Sequence, residues 1–159
     1  MADPQAERGA RVRFPPPLVY LLSIAVGLVV QYAALSLRFG LPMAARIAAG
    51  AVVTVAGLAL VASAFGLFRK SGQDPAPWKP TPSLVFEGPY RFTRNPMYVG
   101  MTAVQVGIGL FADSVWVVGL AAVSLLVVHA IAVLPEEKYL TEKFGAPYEQ
   151  YLRRVRRYL

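Results

Sequence analysis

Four long apolar runs dominate this sequence, at 18–37, 47–68, 96–112 and 114–134. A run of about 20 such residues can cross the hydrocarbon core of a bilayer as an α-helix. Lipid offers backbone N–H and C=O groups no partner, and a helix pairs them internally. A soluble fold fits poorly, because 56% of the chain is apolar and 16% charged, against about 25% charged in globular domains. The expected architecture is an all-α integral membrane protein with four transmembrane helices, a cytoplasmic loop and a C-terminal amphipathic helix.

The first run starts behind Pro15-Pro16-Pro17, and its end at Leu35-Ser36-Leu37-Arg38-Phe39 does not resemble a small-residue cleavage site. It therefore reads as a retained anchor rather than a signal peptide. The second run is rich in Ala and Gly, which suits close helix approach in lipid; it reads as an inner packing helix that would also permit an oligomer. Asp113 interrupts the remaining apolar stretch, so a tight hairpin is expected to turn at Phe111-Ala112-Asp113-Ser114.

Sidedness follows from the cations, since cytoplasmic loops retain Lys and Arg. Of 16 Lys and Arg residues, 14 fall in three segments. Arg8, Arg11 and Arg13 lie in the N-terminal tail; Arg69, Lys70, Lys79, Arg91 and Arg94 in 69–95; and Lys138, Lys143, Arg153, Arg154, Arg156 and Arg157 in the C-terminal tail. Four crossings with both termini cytoplasmic satisfy this distribution. The chain thus divides into a cytoplasmic tail 1–17, two transmembrane helices in 18–68, and a region 69–159 made of a loop 69–95, a hairpin 96–134 and a tail 135–159. The loop and the tail can meet on one side, where chemistry is expected.

Several functions lose their basis. The chain has no cysteine and one histidine, so no metal-ligand cluster is expected, and it contains neither a phosphate-cradling glycine loop nor a GxSxG elbow. From Tyr148, the residues Tyr151, Leu152, Val155 and Leu159 recur at helical spacing opposite Arg153, Arg154, Arg156 and Arg157. That pattern describes a basic amphipathic helix on anionic headgroups, and its juxtamembrane position argues against nucleic acid.

Two polar stretches remain. In Gly88-Pro89-Tyr90-Arg91-Phe92-Thr93-Arg94-Asn95-Pro96-Met97-Tyr98-Val99-Gly100, Pro96 suits the first turn of a helix and leaves Asn95 as its N-cap. Arg91 and Arg94 add cations beside that helix start, which attracts carboxylate or phosphate. The second stretch, Pro135-Glu136-Glu137-Lys138-Tyr139-Leu140, reads either as a solvated helix start or as a functional carboxylate pair. His129 shares a face with Glu136 if the helix runs through Pro135. Gln31, Gln105 and His129 are polar side chains within the spans, open to two readings: substrate contacts or interhelical hydrogen bonds.

These two stretches, followed by Phe144-Gly145, Tyr148 and Tyr151, resemble the isoprenylcysteine carboxyl methyltransferase family and its phospholipid methyltransferase relatives over roughly residues 66–159. The resemblance implies an integral-membrane methyltransferase using S-adenosylmethionine, placed in a bacterial inner membrane. It implies a cofactor site shaped by Tyr90, Arg94, Asn95, Pro96, Tyr98, Gly100, Glu137 and Tyr148, with Arg94, Glu136 and Glu137 as catalytic residues and Gln105 and His129 toward the substrate. Many relatives have histidine where this chain has Asn95, which does not titrate near neutrality, so a general base is not expected there. The expected acceptor is a lipophilic small molecule, a lipid or a prenylated or thiol-derived carboxylate; prenylcysteine fits less well, since the eukaryotic prenyl-protein enzymes have more membrane helices. Two other readings are a sterol-type NADPH-dependent membrane reductase and a non-catalytic scaffold binding anionic lipid through its basic tail.

Overall fold

A computed structural model describes residues 9–12 and 14–159. Arg8, Arg13 and most of the N-terminal tail lie outside the described residues. The described chain is helical, with α1 (Pro16–Ala34), α2 (Met43–Lys70), α3 (Pro96–Phe111), α4 (Val115–Phe144) and α5 (Ala146–Arg154). A 3-10 turn, Gly88–Arg91, precedes α3. Helices α1, α2 and α4 are long and apolar enough to cross a membrane, and α3 is a shorter apolar helix of 16 residues.

Proline places the helix starts: Pro16, Pro96 and Pro147 occupy first turns, where a missing N–H costs no intrahelical bond. The α3–α4 hairpin turns as expected, with Asp113 at φ 52° and the Ser114 hydroxyl accepting from Val117 N at 3.3 Å. Pro135 does not start a new helix. The widened π-turn His129–Val133 comes just before it, and Leu134 N donates to His129 O rather than to a carbonyl four residues back. That widening accommodates the proline ring where a regular α-turn would clash, so α4 continues unbroken to Phe144.

Helix α3 lies at the centre, packed on α2, α4 and α1, while α1 also packs on α4. The contact with α2 runs along a stripe of small residues: Gly50 faces Gly107, and Gly57 faces Gly100. A Cβ on Gly57 would lie 2.6 Å from Gly100 O, so the two backbones touch there. This corrects the reading of α2 as an inner helix. Its buried residues are Gly50, Gly57 and Ala64, whereas Val52, Val55 and Leu58 are exposed; α2 sits at the edge and turns most of its surface to lipid.

The two ends of the bundle differ. At one, loop 35–42 is bound to the hairpin turn: Trp116 Nε1 donates to Leu35 O at 2.8 Å, and Phe39 N to Asp113 Oδ1 at 3.2 Å. At the other, loop 71–95 meets both described chain ends, since Ala10 N donates to Pro77 O at 2.8 Å and Arg94 N to Arg156 O at 2.9 Å. Ala10 and Val12 are buried with Tyr20, Tyr98 and Val128. This part of the expected tail is therefore packed into the core.

Candidate active site

The polar end of the bundle holds a cleft bounded by the C-terminus of α2, the start of α3, the end of α4, α5 and loop 75–86. The 3-10 turn brings in Tyr90, whose ring stands edge-on to Phe68 at 5.8 Å and whose carbonyl accepts from Tyr151 Oη at 2.7 Å. Residues 94–98 supply Arg94, Asn95, Pro96 and Tyr98. The apolar part of α4 ends at Leu134, and the turn beyond it supplies Glu136; α5 adds Tyr148 and Tyr151, and the loop Phe86. The interior left between these side chains is about 70 Å³, within a cleft of about 660 Å³ counting its open mouth.

Adjacent carboxylates take different environments here. The Glu137 carboxylate is held by two guanidinium groups. Arg94 Nη1 lies 3.1 Å from Oε1, and Arg157 donates from Nε to Oε1 at 3.0 Å and from Nη2 to Oε2 at 2.8 Å. Arg94 and Glu137 side chains are 11% and 13% exposed, so their pair is shielded enough for a charge-assisted bond to be strong, whereas the Arg157 side chain is 38% exposed. Its bond to Glu137 keeps the Arg157 guanidinium protonated beyond its ordinary range. Glu136 turns into the cleft instead, where Tyr98 Oη makes a long contact with Oε2 at 3.5 Å. Burial pushes its carboxyl up to about 7, the neighbouring Glu137 charge adds to the rise, and the Tyr98 contact opposes it. Burial also raises Tyr90 and Tyr148, and Tyr151 to about 12, so these phenols stay neutral.

The structure thus brings Tyr90, Arg94, Asn95, Pro96, Tyr98, Glu136 and Tyr148 to one cleft, with Glu137 behind Arg94. Three residues expected in the site lie elsewhere. Gly100 packs on α2, where a Cβ would meet Val61 and Gly57 O. Gln105 is fully buried at mid-bundle, donating to Ser23 Oγ at 3.0 Å and Val117 O at 3.1 Å, which is the interhelical alternative. His129 Nδ1 bonds Tyr158 Oη at 2.9 Å, and the π-turn shifts the helical register so that it does not line the cleft with Glu136. Gln31 likewise closes a local turn, bonding Ser36 and Leu37 N.

Two local expectations also change. Asn95 stands at the N-cap of α3, but its side chain caps nothing, because Nδ2 donates to Arg157 O at 3.0 Å. The basic amphipathic helix stops at Arg154, since Val155 adopts extended geometry. The chain beyond it runs beside Thr93, so Arg153, Arg154 and Arg156 face outward while Arg157 folds inward. Sequence reasoning missed Phe68, Phe86 and Arg157 as site residues. Arg157 was hidden within a run of arginines that suits a lipid-facing helix equally well.

Two comparisons bear on this arrangement. The family model described as phospholipid methyltransferase matches residues 45–147, well over half of the chain, from α2 to the start of α5. No individual curated protein matches the chain.

Proposed function

Because the chain belongs to the phospholipid methyltransferase family, and so to the integral-membrane methyltransferases, we propose that it transfers a methyl group from S-adenosylmethionine to a lipophilic acceptor in the cleft at its polar end. The observation that carries this reading is the chemistry of the donor set. Arg94 Nε is buried without a hydrogen-bond partner while the same side chain lines the cleft. An unpaired buried N–H of that kind calls for an acceptor, which a ligand carboxylate would supply.

The residues fit an amino-acid sulfonium. Arg94 would hold the carboxylate through Nε, and Glu136, whose carboxylate carries no cation of its own among the described residues, would hold the ammonium or ribose hydroxyls. Glu137 is an indirect partner, because both its oxygens are already taken by Arg94 and Arg157. The rings of Tyr90, Tyr148 and Tyr151 present electron-rich faces to a cation. When bound, the cofactor supplies an electrophilic methyl group on a positively charged sulfur. The protein excludes water and aligns the acceptor, which suits a displacement in which charge is lost. Asn95 contributes no base, since its amide is bonded to Arg157 O.

A lipophilic acceptor would approach from the bilayer between helix ends. The cation distribution supports a cytoplasmic cleft, and Arg153, Arg154 and Arg156 are exposed, as contact with anionic headgroups would require. No observation favours a nicotinamide reductase or a lipid-binding scaffold.

Calorimetric titration of the detergent-purified protein with S-adenosylmethionine tests the reading, with NADPH as the parallel ligand. Saturable binding of the methyl donor alone is expected, and Arg94→Ala should abolish it while the protein stays folded. Binding of NADPH instead, or of neither ligand by folded protein, would overturn it.

A further inference from the structure

The C-terminal segment beyond Arg154 runs behind the turn that carries Arg94 into the cleft, although it lies outside the stretch matched by the family. Arg94 N donates to Arg156 O at 2.9 Å, Thr93 Oγ1 to Arg157 O at 3.2 Å, and Asn95 Nδ2 to the same carbonyl at 3.0 Å. The Arg157 side chain then turns inward and takes both oxygens of Glu137, one of which also receives Arg94 Nη1. Tyr158 anchors the far side on His129. The carbonyls of Arg156 and Arg157 therefore hold the turn 93–95, and the Arg157 side chain reaches the Glu137 carboxylate that Arg94 shares.

We propose that Arg157 is a positioning residue for cofactor binding: by holding Glu137 in a two-pronged grip, it fixes the orientation of Arg94, whose side chain lines the cleft and whose Nε is unpaired. This rests on the cofactor reading given above. The physical logic is that a carboxylate shared by two guanidinium groups has little rotational freedom, and a planar guanidinium held through one nitrogen presents its others in set directions. Without Arg157, Glu137 can turn to bind Arg94 through both of its oxygens. The Arg94 guanidinium would then be drawn out of the direction it now takes in the cleft lining. Lysine in place of Arg157 keeps the charge but loses the two-pronged geometry.

The test uses the full-length protein in detergent, S-adenosylhomocysteine as the calorimetric probe, and thermal unfolding without ligand. Arg157→Ala should weaken the probe about tenfold to a hundredfold, the range expected for losing the orientation of one charge-assisted bond. Arg157→Lys should fall between the alanine variant and wild type. Because Arg157 acts through Glu137, its replacement in a Glu137→Gln background should add little, a non-additivity that a merely structural residue would not produce. Unchanged affinity in Arg157→Ala would overturn this proposal and leave the function intact. Losses that repeat fully in the Glu137→Gln background, or that simply follow a fall in unfolding temperature, would reduce Arg157 to a structural strap and overturn it as well. Absence of binding by the wild-type protein would instead remove the cofactor reading and this proposal with it. If Arg157→Ala fails to fold, Arg157→Lys compared alone and with Glu137→Gln decides the matter.

Discussion

Glu136 and Glu137 are neighbours in sequence with opposite surroundings. One carboxylate is locked between Arg94 and Arg157, and the other faces a cleft of aromatic rings. Burial lifts Glu136 from an ordinary 4.5 to about 7, so folding favours its protonated form. Its stabilising contribution is complete at acid pH below 4.5 and disappears as pH rises through about 7. Binding of an ammonium or ribose by the ionised carboxylate runs the other way. Affinity for S-adenosylmethionine should therefore strengthen as pH rises, by about tenfold per unit below the folded pKa, and level off above it. Titrations between pH 5.5 and 8.5 would check this, and Glu136→Gln should bind weakly with a flattened profile; an unchanged slope in that variant would refute the assignment. Tyr90, Arg94, Tyr98 and Glu136 were legible in the sequence because they stand in the two polar stretches that carry the family resemblance. Arg157 was not, because carbonyl bonds from Thr93 and Asn95 to a distant chain end leave no periodic signal.

At the scale of elements, helix limits were legible and helix surroundings were not. Prolines and Asp113 announce where helices begin and turn, and the observed ends follow them within a few residues. Whether α2 is central or peripheral has no hydropathy signature, since lipid-facing and protein-facing surfaces are both apolar in a membrane. Only the spacing of Gly50, Gly57 and Ala64 distinguishes its packed stripe. The π-turn at His129–Val133 is equally silent, apart from Pro135 just after it. The α2–α3 contact makes a sharp prediction. Gly57→Val would place its Cβ against Gly100 O and Ala103, costing about 1–3 kcal/mol as overpacking does elsewhere. It should lower the unfolding temperature in detergent. Gly119→Ala is the control: no atom lies within 4 Å of its new Cβ, and alanine's higher helix propensity should leave stability equal or raised by up to about 1 kcal/mol. Equal behaviour of the two variants would contradict the close backbone approach.

For the molecule as a whole, the bundle has a cleft end and a hairpin end, and this polarity agrees with the charge distribution. Loop 71–95 and both described chain ends gather at the cleft, while loop 35–42 closes on Asp113 at the other. The sequence predicted this grouping because translocating arginines is disfavoured; it did not show that residues 9–12 pack against Pro77 and the core, since a short apolar pair beside arginines carries no pattern. The orientation itself is open to direct measurement, because the native chain has no cysteine and each introduced one is a unique label. Ser71 and Leu159 are exposed at the cleft end, and Leu41 is exposed at the other. With a membrane-impermeant thiol reagent on intact cells, Leu41→Cys should react at once, whereas Ser71→Cys and Leu159→Cys should react only after permeabilisation. The reverse pattern would put the cleft on the outer face, away from a cytosolic pool of methyl donor, and would separate the proposed chemistry from its cofactor. Labelling of Ser71→Cys and Leu159→Cys from opposite sides would strike deeper. The bonds joining Thr93, Arg94 and Asn95 to the C-terminal segment require one side for both, so the cleft and the topology stand or fall together.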